Sequence, residues 1–324
     1  MREAVIHFGL AGVLMLVAGC NSSGTSGAGD NAGTAKAAPS IPAAEQAPAP
    51  DTTGGFDGQK AYDHVRRQVE MGPRPPGSDA HRRVQQYIIS TLKGYGCAVQ
   101  EHAFTARTPN GPLGMKNIIA TIPGQSDDIL LLLTHYDTAT WIPDFVGAND
   151  AGSSTGVMLE MARLLCTQKR PLSIWIAFLD GEEAIIEWTD KDSLYGSREL
   201  AAKLSLEGVL PRVKAALLAD MVGYRDLRFK RDTNSTGWLV ELMWGVAARL
   251  GYESVFVRET TAVDDDHMPF IRRGVAAVDV IQFDIDYPYW HTREDTLDKI
   301  SPRSLAITGH VFLESITELE KKFR

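Results

Sequence analysis

The chain has 324 residues, 44% hydrophobic and 23% charged, an ordinary globular composition with enough apolar content for one large domain or two small ones. The formal net charge is −8, with no extended basic run. That balance excludes nucleic acid as the expected partner.

Residues 1–20, MREAVIHFGLAGVLMLVAGC, place one arginine ahead of an apolar stretch that ends in Val17-Ala18-Gly19-Cys20. This is the pattern of an export signal. The final tetrapeptide resembles a bacterial lipoprotein lipobox, which implies cleavage before Cys20 and lipid attachment to its sulfur. An ordinary cleaved signal or a short membrane anchor is the alternative, although the apolar run is short for a membrane span. From Asn21 to Gly55 the chain is rich in Ser, Gly, Ala and Pro and contains no aromatic residue. Such a segment buries too little apolar surface to offset its ordering entropy, so residues 21–55 read as a disordered tether to a folded part at 56–324. The expectation is an exported monomer whose membrane contact is only the lipid on Cys20. Export permits a disulfide between Cys97 and Cys166, but Cys166 lies in a helical pattern where a small buried hydrophobe suffices, so free thiols are expected.

Elements follow in chain order. YDHVRRQVEMG and HRRVQQYIISTLKGYG carry apolar residues at spacings of three and four and run into glycine, as helices do. NIIATIPG and DDILLLLTHYD read as strands, the second apolar enough to be buried on both faces. GSSTGVMLEMARLLC is a helix, LSIWIAFLDGEE and KAALLADMVG are strands, STGWLVELMWGVAARLG is a helix, and GVAAVDVIQF is a strand. The last helix is SPRSLAITGHVFLESITELEKKF, with Ser301 at its N-cap and Pro302 at its first position. Buried strands alternating with helices predict an α/β domain whose central, mostly parallel mixed sheet is covered by helices on both faces. In such sheets ligands bind beyond the carboxyl ends of the strands.

Those ends carry the chemistry. One strand delivers His135 and Asp137, the next Asp180, Glu182 and Glu183, and a third Asp220; Asp150 precedes a helix and His291 follows the last strand. Taken singly, Asp150 could be a helix cap, His135 a core histidine and Asp220 a turn residue. Together, carboxylates brought to one edge repel one another and need a cation. A mixed Asp, Glu and His set suits Zn2+, and three protein ligands with an open position suit catalysis. Trp188 and Trp290 stand in loops at the same edge, a placement that favours the wall of a pocket over core packing.

In order, HYD, GANDAGSS, DGEE, LLADMVG, DDHMPF and WHT resemble the zinc aminopeptidase family of phosphorylase/hydrolase-like fold, across about residues 60–322. EEAIIEWTDKDSLYGSREL, with Trp188 five residues after Glu183, VDDDHMPFIRRGV, and Trp290 before His291 are similar to the glutaminyl cyclase branch. Thr134, where animal cyclases have a cysteine, and Asp264, where they have glutamine, depart from that pattern. The resemblance implies one zinc ion on Asp150, Glu183 and His291, Glu182 as general base and acid, Asp220 and Asp265 in an acidic network with it, and an apolar pocket of Trp188 and Trp290, with Tyr287 as a further candidate, around the glutamine side chain. It implies conversion of N-terminal glutamine on peptides or proteins to pyroglutamate with release of ammonia. Two alternatives are a two-zinc aminopeptidase, with His135 and Asp220 as further ligands, and a non-catalytic binding lipoprotein of the same fold. His267 and Tyr195 are expected as further neighbours of the site.

Overall fold

The apolar run Ile129–Leu133 is the middle of the sheet because it is flanked by parallel strands on both sides. The computed structural model describes residues 41–324, so the export signal, the lipobox and the tether up to residue 40 lie outside the described residues. Strand β3 (Ser126–His135) pairs in parallel with β4 (Leu172–Leu179) on one side and β5 (Val213–Asp220) on the other. Alternate side chains of β3 face opposite ways, so Leu130 and Leu132 enter one core while Ile129, Leu131 and Leu133 enter another. β8 (Ala277–Ile281) extends the parallel part beyond β5. At the opposite edge the hairpin of β1 (Ala98–Thr108) and β2 (Gly111–Ile122) adds two antiparallel strands, giving the order β1-β2-β4-β3-β5-β8. β6 (Phe229–Asp232) and β7 (Phe256–Thr261) form a separate two-stranded sheet.

Helices cover both faces. The larger core joins one face of the sheet to α1 (Gly58–Glu70), α2 (Asp79–Gly94), α3 (Gly152–Leu165), α5 (Gly237–Arg249) and α7 (Pro302–Lys322). The smaller core lies under α4 (Tyr195–Leu206) and the short α6 (Met268–Ile271). The caps are local: Asp57 accepts from the amides of Gln59 and Lys60, Ser78 from His81, and Ser301 from Ser304 with Pro302 at the first turn of α7.

Two expectations are corrected. Cys97 and Cys166 are joined in a disulfide. Cys166 stands at the C-cap of α3, where the chain leaves the helix, and its Cα is 5.2 Å from that of Cys97, a separation a disulfide spans without backbone movement. The tether also ends earlier than Gly55. Residues Ala43–Glu45 and Pro50–Thr52 form 3-10 turns, Thr53 is buried, and Glu45 pairs with Arg225 at 3.4 Å and accepts from the Ser301 hydroxyl through its carbonyl. Proline in these turns fixes φ in advance, so less entropy is lost on ordering than composition suggests.

β1, α4 and the small sheet were not legible as elements. β1 is an edge strand, largely exposed, and its sequence AVQEHAFTART lacks the apolar alternation that marks a half-buried strand.

Candidate active site

The carboxyl ends of β3, β4 and β5 open onto one cleft, and the turns there are pinned by buried carboxylates. After β4 the chain reverses through Asp180-Gly181-Glu182-Glu183. Asp137, at the end of β3, accepts hydrogen bonds from the backbone amides of Gly181, Glu182 and Glu183 at 3.0, 3.1 and 3.3 Å. Gly181 has φ 69°, and a Cβ there would lie 2.6 Å from the sulfur of Met115, so the turn requires glycine. Asp180 faces away from the cleft, accepting from Lys116 N, Gln85 Nε2 and, at 2.8 Å, His81 Nε2.

A second pin holds the segment before α3. Asp295 accepts from the amides of Asn149 and Asp150 at 2.8 and 3.0 Å and from the Tyr287 hydroxyl at 2.6 Å. The fully buried Arg74 donates to the carbonyls of Tyr136, Val146 and Gly147, closing the loop between β3 and Asp150 from behind. His291 has φ 51° and Met221, next to Asp220, φ 46°. Left-handed backbone costs a non-glycine residue about 1 kcal/mol or more, and such residues concentrate at functional sites.

Asp150, Glu183 and His291 therefore meet, each from a separately fixed loop. His291 Nε2 is 3.2 Å from Glu183 Oε1 and 3.4 Å from Asp150 Oδ2. Donors bound at about 2.0–2.2 Å to a tetrahedral zinc stand roughly 3.3–3.6 Å apart, so the trio fits a zinc ion in spacing and in donor type. His135, Asp150 and Asp220 form a second group, with His135 Nε2 at 3.3 Å from Asp150 Oδ1 and 3.1 Å from Asp220 Oδ1. Asp150 is common to both groups.

The two adjacent glutamates face different company. Burial raises Glu183 to about 7, with Asp150 adding to the rise and His291 opposing it. Asp150, despite burial, is held low by hydrogen bonds from His135 and His291. Against its own burial, His291 is raised to about 10 by its bonds to Asp150 and Glu183. Glu182 is raised well above the ordinary glutamate value by burial; His135 opposes this, while Asp265, Glu183 and Asp266 reinforce it. Asp265 is pushed up to about 7 by burial and by Asp220. Behind it Asp266 and Asp279 are fully buried and also raised well above the usual range, first by burial and then by Asp265. Four buried aspartates and one glutamate thus crowd together on this side.

The cleft measures about 500 Å³ and is lined by Glu182, Glu183, Asp150, Asp220, Asp265 and His291 at its base. Trp188 and Trp290 line it as expected from their loop placement. Trp290 stacks on the His291 ring at 4.4 Å between centroids. Tyr287 does not line it, a correction to the expectation: the ring is fully buried and its hydroxyl is used by Asp295, behind the site. Tyr195 donates to Asp192 Oδ1 and His267 Nε2 lies 3.1 Å from Asp232 Oδ2, so both sit away from the lining. Sequence reasoning missed Trp141, Ile186 and Phe283, which do line the cleft. Trp141 packs edge-on against His291 at 5.0 Å. Its signal was an aromatic residue in the loop between the two motifs HYD and GAND. Asp295 was missed because nothing local separates it from the neighbouring acidic residue Glu294.

A cleft at the carboxyl edge of a mixed α/β sheet, holding a zinc-type ligand trio beside a raised carboxyl, defines a metal-dependent enzyme of the aminopeptidase-like class. The model of peptidase family M28 matches residues 117–316. The glutaminyl-peptide cyclotransferase of Drosophila melanogaster is 31% identical over 77% of this chain and 79% of its own length. Among solved structures, an Acidobacteriales bacterium glutaminyl cyclase is 42% identical with a TM-score of 0.79, covering 88% of this chain and all of that one. The Porphyromonas gingivalis glutaminyl cyclase is 33% identical with a TM-score of 0.75, over 82% of this chain and 99% of that one. The chain belongs to peptidase family M28, in its glutaminyl cyclase branch.

Proposed function

We propose that this chain is a zinc-dependent glutaminyl-peptide cyclotransferase, converting N-terminal glutaminyl residues of peptides to pyroglutamate with release of ammonia. The observation that carries the reading is a ligand trio and a proton-carrying glutamate at one strand end, in a chain whose relatives over most of their length are glutaminyl cyclases. The aminopeptidase alternative has less support.

Asp150, Glu183 and His291 would hold one zinc ion. Bound there, zinc supplies a Lewis acid for the γ-amide oxygen of the substrate, where negative charge develops. Attack by the substrate's own α-amine is intramolecular, so the protein's part is to position and to move protons. Glu182 takes a proton from the attacking amine and returns one to the leaving ammonia. A carboxyl raised well above the ordinary glutamate value by burial and by neighbouring carboxylates suits both halves of that role, because it holds a proton more readily than a free glutamate does. Asp265 and Asp220 form the acidic network beside it, and Asp265 orients the amine by a charge-assisted hydrogen bond. Trp188 and Trp290 exclude water, whose attack would give glutamate instead.

A single ion follows from the cyclase reading, in which Asp150, Glu183 and His291 are its ligands. The ligand set for a second ion is nevertheless present, so metal count decides the branch chemistry. The reading also includes export and lipid attachment at Cys20, with a monomeric catalytic unit from about residue 41 onward. The Cys97–Cys166 disulfide suits an oxidising compartment. Among the described residues no helix is long and apolar enough to cross a membrane.

The test is incubation of purified protein with a glutaminyl peptide. Ammonia and a pyroglutamyl peptide at one zinc per chain are expected; free glutamine as product at two zincs per chain would establish the aminopeptidase instead.

A further inference from the structure

The cleft does not end at the glutamine-sized base. Its mouth is rimmed by three large apolar side chains that stay substantially exposed: Trp141 at 51%, Ile186 at 57% and Trp188 at 41%. Clustered exposed apolar groups beside a functional cleft mark a recognition surface rather than a packing remnant. The rim is also rigid. The amides of Ile185, Ile186 and Glu187 all donate to the Asp192 carboxylate, at 2.9, 2.9 and 3.0 Å, and Tyr195 donates to the same group. The segment that carries Trp141 is tied to this loop, because the Thr140 hydroxyl, one residue before Trp141, donates to the Ile185 carbonyl at 2.8 Å.

Charge adds a second element. Glu187 and Asp264 both line the mouth. Asp264 is paired with Arg272 at 3.2 Å, whereas no ion pair involves Glu187 among the described residues. Glu187 is therefore the uncompensated charge of the rim.

A peptide whose first side chain reaches the metal trio must leave through this mouth. Its second Cα follows the first by about 3.8 Å, which puts the second side chain at the rim and not in the base. We propose that Trp141, Ile186 and Trp188 form a subsite for the second residue of the substrate, taking bulky apolar or aromatic side chains, and that Glu187 disfavours aspartate or glutamate there. The inference rests on the cyclase reading above. It makes Ile186 and Glu187 specificity-determining residues on a wall preorganised by Asp192.

The experiment compares kcat/KM for Gln-Phe-Ala, Gln-Gly-Ala, Gln-Lys-Ala and Gln-Glu-Ala amides, following ammonia, in the wild type and in the Ile186→Ser and Glu187→Gln variants. Each protein serves as its own reference through its ratios. The wild type should prefer Phe over Gly on the order of 10-fold, as expected for partial burial of an aromatic side chain. Ile186→Ser should cut that ratio about threefold or more. The wild type should prefer Lys over Glu roughly 3–5-fold at low salt, as a solvent-facing charge allows, and Glu187→Gln should remove most of that preference. Cyclisation of all four peptides with a flat profile, or ratios unmoved in both variants, would overturn the subsite and leave the activity intact. Cyclisation of none of them would overturn the activity reading itself, and the subsite with it.

Discussion

The two sides of the cleft are built from the same residue types and end in different electrostatics. On the side of Asp150, Glu183 and His291, each carboxylate lies within 3.4 Å of a histidine, and its loop is fixed by a carboxylate behind it, Asp295 or Asp137. On the side of Glu182, Asp265 and Asp220, carboxylates face carboxylates, and His135 reaches Asp220 Oδ1 at 3.1 Å and Glu182 Oε2 at 3.8 Å. The first arrangement converges three donors on one point that a cation could occupy; in the second, burial and neighbouring carboxylates raise Glu182 and Asp265 above their ordinary values. Adjacent residues of one turn take up both roles because the backbone sends consecutive side chains in different directions, each toward different neighbours.

Removing a ligand should have the largest effect on this contrast. His291→Ala leaves two buried carboxylates without their histidine and should abolish both zinc binding, measured by metal analysis, and ammonia release. Next, Glu182→Gln should lower kcat by roughly 10²–10⁴-fold, the usual loss for a general acid-base group. Asp295→Asn touches no reacting atom but loosens the amides of Asn149 and Asp150. Zinc affinity by chelator competition should weaken about 10–100-fold, as for other supports of a metal ligand, with kcat at saturating zinc much less affected.

The smallest expected effect concerns pH and stability on the proton side. Asp265 is raised from 3.8 to about 7 in the folded protein. A carboxyl raised on folding stabilises the native state below its unfolded pKa, and that contribution is lost as pH rises through the folded value. The metal-free protein should therefore melt at lower temperature as pH increases from about 4 to above 7, and Asp265→Asn should flatten that slope. An equal slope in the variant would mean that the carboxylates of this side do not share their protons as described.

Much of the site was legible because strand ends can be found in sequence. An apolar run such as ILLLLT or SIWIAFL stops where the sheet stops, and the polar residues that follow must lie at its edge. Asp150 and His291 were placed by the motifs around them. The pins were not legible. Asp137 and Asp295 act through backbone amides 44 to 146 residues away in sequence, and no local pattern records such a contact. Tyr287 was expected beside Trp290 as a pocket wall, yet the loop turns so that Trp290 faces the cleft while Tyr287 faces Asp295. The disulfide failed for a related reason. Helical periodicity placed Cys166 within a helix, but whether a side chain at the C-cap points inward or across to Cys97 depends on tertiary placement.

The division of labour between neighbouring glutamates is tested most directly by counting zinc per chain in Glu182→Gln and Glu183→Gln alongside ammonia release from a glutaminyl peptide. Glu182→Gln should keep one zinc and lose turnover, whereas Glu183→Gln should lose zinc and turnover together. Retention of zinc by Glu183→Gln with loss of it in Glu182→Gln, or undiminished turnover in Glu182→Gln, would contradict it.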